Sequence, residues 1–218
     1  METKRIILSG GGTGGHIYPA ISIANEILFR DKNTEILFVG AKNKMEMNIV
    51  PKYGFSILGL WISGINRNNF LKNILVPFKL VISLFQSLLI IKRFSPNVII
   101  GTGGYASGPI LYVANLLKIP TLIQEQNSYP GITNKLLSKK VNTVCVAYNY
   151  LDKYFPKDKI KLTGNPVRSS ITENSDSFEK GMEYFGLDHN KKTMLVIGGS
   201  LGSREINKAI YSLQDFLK

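Results

Sequence analysis

Three times in this chain a short apolar run ends in a glycine cluster and passes into a stretch with helical spacing. The runs are residues 4–9, 97–100 and 193–197. The clusters are Gly10-Gly11-Gly12-Thr13-Gly14-Gly15, Gly101-Thr102-Gly103-Gly104 and Gly198-Gly199-Ser200-Leu201-Gly202. Strands that hand over to helices through glycines mark a parallel α/β sheet, whose ligands bind beyond the carboxyl ends of the strands. Glycine lets the backbone approach a phosphate closely, and the following helix N-terminus offers free N–H groups and a favourable dipole. Gly10, Gly12 and Gly15 also fit GxGxxG. The second strand, however, ends Val39-Gly40-Ala41-Lys42, without the carboxylate that grips a ribose in nicotinamide-binding folds. A dinucleotide site is therefore disfavoured.

The remaining chain continues the alternation. Apolar runs at 36–39, 57–60, 121–123 and 141–146 read as strands, and 19–29, 107–118, 131–139 and 205–217 read as helices. Residues 70–94 read as one long helix, bent near Pro77. The fold class is α/β, a Rossmann-like parallel sheet. The pattern changes after Lys161, where Asn165-Pro166 breaks it and 173–179 is polar. We expect residues 1–163 to form one domain, and 164–218 to be a linker plus the first βα unit of a second. One such unit cannot cover its own sheet faces, so that second domain is expected to be incomplete.

Charge narrows the partners. Lys and Arg number 27 against 15 Asp and Glu, a net charge of +12. This favours an anionic partner: nucleic acid, an acidic membrane surface or a phosphorylated substrate. Only 6 of those cations are Arg, whereas bidentate base readout favours Arg, and aromatics are not interleaved with the basic residues. No nucleic-acid partner is expected. The single cysteine, Cys145, excludes a disulfide framework and sits between valines as a core residue. The two histidines lie far apart in sequence and suggest no metal site, and His189 reads as a surface residue. The N-terminus has no signal-peptide layout, and the longest uncharged apolar run, 80–91, is too short to span a bilayer. A cytoplasmic protein, soluble or peripheral, is expected.

The segment GGGTGGHIYPAISIANEI, residues 10–27, resembles the MurG family of peptidoglycan glycosyltransferases. The likeness recurs in order: Met45-Glu46 with Val50-Pro51; Ser63-Gly64; Gly103-Gly104-Tyr105 with Ser107-Gly108-Pro109; Glu125-Gln126-Asn127 with Gly131 and Thr133-Asn134-Lys135; Gly164-Asn165-Pro166-Val167-Arg168; and Gly198-Gly199-Ser200 with Gly202 and Asn207. The resemblance implies a GT-B fold of two Rossmann-like domains, and inverting transfer of N-acetylglucosamine from UDP-N-acetylglucosamine to the C4 hydroxyl of N-acetylmuramic acid in lipid I, giving lipid II. It places the lipid acceptor on the N-terminal domain, most of the donor on the C-terminal one, and the protein on the cytoplasmic face of the bacterial membrane. Family members continue for well over a hundred further residues, so the 218-residue chain is expected to be inactive alone.

His16 is the candidate catalytic base. It stands just before a helix, where the dipole disfavours added positive charge, and can accept the proton of the attacking hydroxyl. Glu125 is the alternative base, though a structural or acceptor role fits it better. Thr13, Gly14, Gly15 and Asn127 match substrate-contacting positions of the family. Gly103, Gly104 and Tyr105 are further candidates. Arg168 and Ser200 are expected on the UDP side, as a cation and a hydroxyl beside the departing diphosphate. Leu201 and Ser203 depart from the family's usual glutamine and alanine, which leaves backbone contacts at that loop. The chain has no Asp-x-Asp clamp, so no metal and no cofactor are expected.

The stretch 70–94 joins apolar residues to Lys72, Lys79, Lys92 and Arg93. In part it must be a buried crossover helix. Its apolar residues nevertheless occupy more than one face, as in basic amphipathic helices that lie on anionic membranes. Lys72, Leu75, Phe78, Lys79, Ile82 and Phe85 are the expected membrane contacts, with Lys139 and Lys140 extending the rim. The rival readings are another GT-B enzyme acting on a glycolipid or UDP-sugar, and a non-catalytic module binding a lipid diphosphate or a membrane.

Overall fold

The computed structural model describes residues 3–65, 73–168, 177–198 and 202–216. It divides into two units, Met1–Thr172 and Glu173–Lys218. The first is built on seven parallel strands: β1 (Arg5–Gly10), β2 (Glu35–Ala41), β3 (Ser56–Leu60), β4 (Val98–Gly103), β5 (Thr121–Glu125), β6 (Thr143–Val146) and β7 (Ile160–Leu162). Their order is β3-β2-β1-β4-β5-β6-β7. The chain winds outward in both directions from β1 and β4, so the switch point lies between them.

Successive residues of a strand face opposite sides of the sheet, and both sides are covered here. Ile7, Leu37, Val39, Ile99, Ile123 and Val144 enter one core. It is closed by α3 (Val76–Phe94), α4 (Ser107–Leu116) and Leu137 of α5 (Ile132–Ser138). Ile6, Leu8, Phe38 and Ile100 enter the other, against Ile17, Ala20, Ile21 and Ala24 of α1 (Gly14–Arg30). Burial on both faces is why these strands read as continuous apolar runs rather than alternating ones. Each fully buried Ile or Leu contributes about 1.5–3 kcal/mol of transfer free energy.

Several boundaries differ from the sequence reading. Helix α1 begins at Gly14 rather than Pro19, and carries Pro19 inside. Helix α3 starts at Val76 with Pro77 in its first turn, where a missing N–H costs no hydrogen bond, so Pro77 starts this helix instead of bending it. Residues 66–72 lie outside the described residues. A short helix, α2 (Glu46–Ile49), and the edge strand β7 were not anticipated. The latter is short and its Lys161 and Leu162 are exposed, so it carries little apolar signal. Cys145 is half-buried rather than core: its neighbours Val144 and Val146 take the buried positions of β6. Burial nonetheless raises its thiol pKa above the ordinary value.

The first compact unit runs past Thr163, where the sequence suggested a boundary, because the following segment packs back on it. Asn165 hydrogen-bonds Gln124 and Gln126, and the Arg168 guanidinium lies 4.9 Å from the Tyr18 ring centroid. Among its described residues the second unit holds two helices, α6 (Ser177–Phe185) and α7 (Arg204–Ser212), the latter capped by the Ser203 hydroxyl accepting from Ile206 N at 3.3 Å. The strand expected at 193–197 is not formed. Those residues have no ladder partner among the described residues, and Leu195 and Ile197 stand in solvent. A run of strand-forming residues needs a neighbouring strand before it becomes one.

Candidate functional site

The first two glycine loops meet at the β1/β4 switch point, joined by Gly11 N donating to Gly103 O at 3.4 Å. The glycines at the junction are explained by this meeting. A Cβ on Gly10 would overlap the Thr102 hydroxyl, and one on Gly104 would overlap the Gly11 carbonyl oxygen. Gly103 and Gly104 also hold φ +104° and +82°, a region that side chains rarely tolerate. The Thr102 hydroxyl completes the junction by donating to the His16 carbonyl at 2.7 Å.

Beneath the first loop lies a carboxylate that the sequence reading noted only as part of a motif. Glu46 is fully buried. Its Oε1 accepts from Ala41 N at 2.9 Å and its Oε2 from Gly12 N at 3.1 Å. It therefore ties the end of β2 to the loop after β1, in space left by the absent side chain of Gly11. Its surroundings, Lys42, Lys44 and Met45, look like a solvated turn, and the only sequence signal was its place just beyond a strand end. Tyr105 packs beside the same loop, its ring 3.3 Å from the position a Gly12 Cβ would take. Burial, and then the charge of Glu46, raise the Tyr105 pKa above its ordinary value, so the phenol keeps its proton and remains a donor.

His16 sits in the first turn of α1, half-buried, with its ring against the second loop. A Cβ on Gly103 would come within 2.8 Å of Cδ2 and 3.0 Å of Nε2. Nδ1 lies 3.1 Å from the Gly11 carbonyl oxygen and 3.2 Å from Thr13 Oγ1. A carbonyl only accepts, so the hydrogen-bond network assigns the proton to Nδ1 and leaves a lone pair on Nε2. This is the tautomer a general base requires. Thr13 and Gly15 are exposed and Gly14 half-buried at the same helix N-terminus, where the Thr13 side chain makes no cap hydrogen bond.

Glu125 is placed differently from His16. It is 1% exposed and its two oxygens accept four hydrogen bonds. Oε1 takes Asn127 N and Nδ2, each at 3.0 Å, while Oε2 takes Gly131 N at 3.1 Å and Asn134 Nδ2 at 2.9 Å. It clamps its own loop, and nothing is left to take a proton from a substrate. Asn127 is exposed at the rim, its amide oriented by that clamp. Behind the rim, Gln126 donates to Thr102 O at 2.8 Å and to Gln124 Oε1 at 2.6 Å. The polar network thus runs from β4 through β5 to the segment at Asn165.

The other expected residues separate into two groups. Arg168 lies over Tyr18 of α1, on the His16 side of the sheet. Ser200 and Leu201 lie outside the described residues, as does Lys72. Of the expected membrane contacts, Leu75, Phe78 and Phe85 are exposed, and Lys79 and Ile82 are half-buried. Helix α3 in fact has an inverted arrangement. Its buried face carries Ser83, Ser87 and Ile91, and both serine hydroxyls bond back to the helix backbone, at 2.7 Å each. Its outward face carries Phe78, Val81, Phe85 and Leu89, all more than half exposed. Trp61 packs edge-on to Phe78, and Lys79 lies 5.7 Å from the Trp61 ring centroid. Among the described residues no helix is long and apolar enough to cross a membrane.

This architecture has known relatives. A protein from Flavobacterium psychrophilum, named UDP-N-acetylglucosamine–N-acetylmuramyl-(pentapeptide) pyrophosphoryl-undecaprenol N-acetylglucosamine transferase, is 58% identical over 217 residues, which is 100% of this chain and 59% of that protein. A protein of the same name from Bacteroides thetaiotaomicron is 52% identical over 206 residues, 94% of this chain and 55% of that one. The chain thus spans a little over half the length of these relatives. The crystal structure of Acinetobacter baumannii MurG matches with a TM-score of 0.70 at 28% identity, over 94% of this chain and 55% of that one. A UDP-GlcNAc 2-epimerase from Neisseria meningitidis shares the fold alone, with a TM-score of 0.61 at 15% identity, over 98% of this chain and 62% of that one. The profile of the glycosyltransferase family 28 N-terminal domain matches residues 6–146, the segment that holds both meeting glycine loops, His16 and the Glu125 clamp; the chain belongs to glycosyltransferase family 28.

Proposed function

We propose that this chain supplies the acceptor side of a transferase that moves N-acetylglucosamine from UDP-N-acetylglucosamine to the C4 hydroxyl of N-acetylmuramic acid in lipid I. The observation that carries the reading is His16: Nδ1 bound to a carbonyl, Nε2 free, at the junction of two glycine loops beside a helix N-terminus. Nε2 takes the hydroxyl proton as the oxygen attacks the anomeric carbon. The bond to UDP breaks on the opposite face, with its electron pair leaving on the diphosphate, and the configuration inverts. Asn127 meets sugar hydroxyls, and Thr13, Gly14 and Gly15 offer N–H groups to phosphate. Arg168 is proposed as a cation, and Ser200 as a hydroxyl, for the departing UDP. The names of the relatives support both substrates.

The test is transfer to a lipid I analogue, by this chain and by a chain extended to the full length of its relatives. The extended chain is expected to turn over and the 218-residue chain not to, because the resembled fold holds the donor mainly on its second domain. Comparable turnover by both overturns that division of labour. Activity is expected to survive EDTA, since the sequence has no Asp-x-Asp clamp; full loss with rescue by Mn²⁺ overturns the metal-free reading.

We place the protein peripherally on the cytoplasmic face of an anionic membrane, through the outward face of α3. Purified protein is expected to sediment with vesicles rich in anionic lipid and to be released as salt rises, because charges in water are screened within about 10 Å at 0.1 M salt. Phe78→Ser with Phe85→Ser is expected to weaken vesicle binding about tenfold or more while lowering the melting temperature by only a few degrees, since both side chains are more than half exposed and the edge-on contact of Phe78 with Trp61 is the packing lost. Unaltered vesicle affinity, or a large fall in stability, overturns the assignment.

A further inference from the structure

A cavity of about 650 Å³ lies between α3, α4 and α5, on the opposite face of the sheet from α1. Its walls are almost wholly apolar, with Val76, Leu80 and Leu84 from α3, Tyr112 from α4, and Ile132 and Leu136 from α5. Three features limit what fits there. At one end stands Tyr105, whose ring also packs on the first glycine loop at Gly12 and against Gly64. At the outer edge, Leu80, Ile132 and Leu136 are exposed, and the cavity borders the apolar outward face of α3. Lys140 lines the cavity, its Nζ 4.5 Å from the Tyr112 ring centroid, and Lys79 is held nearby by Ser63 at 3.3 Å.

A matching ligand is apolar, with an anionic head at the end that meets the glycine loop. A flat bilayer surface meets the convex ridge of α3 and does not enter a concave slot. A nucleotide leaves the apolar walls unmatched and brings polar edges that the walls cannot pair. We propose that this cavity holds the diphosphate-proximal isoprenoid units of the polyprenyl chain, while the diphosphate lies toward the first glycine loop. The proposal rests on the lipid-linked acceptor proposed above and adds a second recognition element to it. The enzyme reads the tail of its acceptor as well as the sugar, and the membrane delivers that tail along the apolar face next to the slot.

The experiment is calorimetric titration of the chain with farnesyl diphosphate below its micelle concentration, with inorganic diphosphate as the reference and no vesicles present. Farnesyl diphosphate is expected to bind at least tenfold more tightly, about 1.4 kcal/mol, which is a small part of what burying several methylene groups supplies. Leu136→Trp, which fills the outer end of the cavity from an exposed position, is expected to erase that preference and leave diphosphate binding in place. Ile132→Trp is expected to do the same and stands in should the first variant fail to fold. Leu116→Trp, the same exchange at an exposed leucine of α4 outside the cavity, is expected to have no effect. Equal affinity for the two diphosphates, or a preference indifferent to both cavity variants, or one lost equally in Leu116→Trp, overturns the assignment. Sugar transfer to a water-soluble acceptor lacking the long chain, by the chain extended to the full length of its relatives, reports on the proposed function separately: if transfer stands and the prenyl preference is absent, only the cavity assignment fails.

Discussion

In a chain extended to the full length of its relatives, His16→Ala is expected to lower kcat by about 100-fold or more, the range in which positioned general bases contribute. KM for the acceptor is expected to change far less, because the Nε2 lone pair acts on a proton in transit and not on the bound ground state. His16→Gln keeps a group able to accept from the hydroxyl but cannot take up the proton, so it is expected to be nearly as slow as alanine. A His16→Ala enzyme with near-normal kcat moves the base elsewhere. Glu125 is then a poor successor, since its four hydrogen bonds leave it no free acceptor in reach.

Glu125→Ala has the second large effect, and it falls on stability. Removing this carboxylate orphans two backbone N–H groups, of Asn127 and Gly131, and frees the amides of Asn127 and Asn134. Buried donors left without acceptors cost about 1–3 kcal/mol each. A net loss of about 2 kcal/mol is expected after the exposed Asn127 and Gly131 recover water, lowering Tm by roughly 6 °C for a protein of this size. Glu125→Gln is the informative partner. It keeps the shape but turns an –NH2 toward one pair of donors, so it is expected to lose at least half as much stability as alanine does. Were Glu125 the base, Gln would instead abolish turnover and leave thermal unfolding unchanged.

Much of this was legible in the chain. The strands β1 to β6 showed as apolar runs because helices cover both faces of the sheet, and the first two glycine clusters marked the switch point because their loops meet there. His16 was legible for the same reason: a histidine directly after a glycine loop has few places to go. What stayed hidden was what depends on partners distant in sequence. Glu46 sits among lysines and reads as a surface turn until β2 and the Gly12 loop are seen to close over it. Gly103 and Gly104 looked like phosphate contacts, yet their small size also serves to admit the His16 ring and the Gly11 carbonyl. The extended run at 193–197 had strand composition but no ladder partner among the described residues. In α3 the apolar residues were visible, but not that serines take the buried side, which is decided by how closely α3 approaches α4.

The buried carboxylate under the first glycine loop bears on how quickly the site empties. The Gly12 N–H is already committed to Glu46, so this loop is not a full anion cradle. A diphosphate bound there gains the N–H groups of the α1 N-terminus, but it also lies close to the Glu46 carboxylate that holds the Gly12 N–H. Such a loop grips less tightly than one with every amide free. On the function proposed above, substrate and product carry the same lipid diphosphate, and a strong grip on it would hold both equally and add nothing to the rate. On that function a tempered grip lets the glycosylated lipid leave, and the diphosphate need not supply the affinity that selects the acceptor.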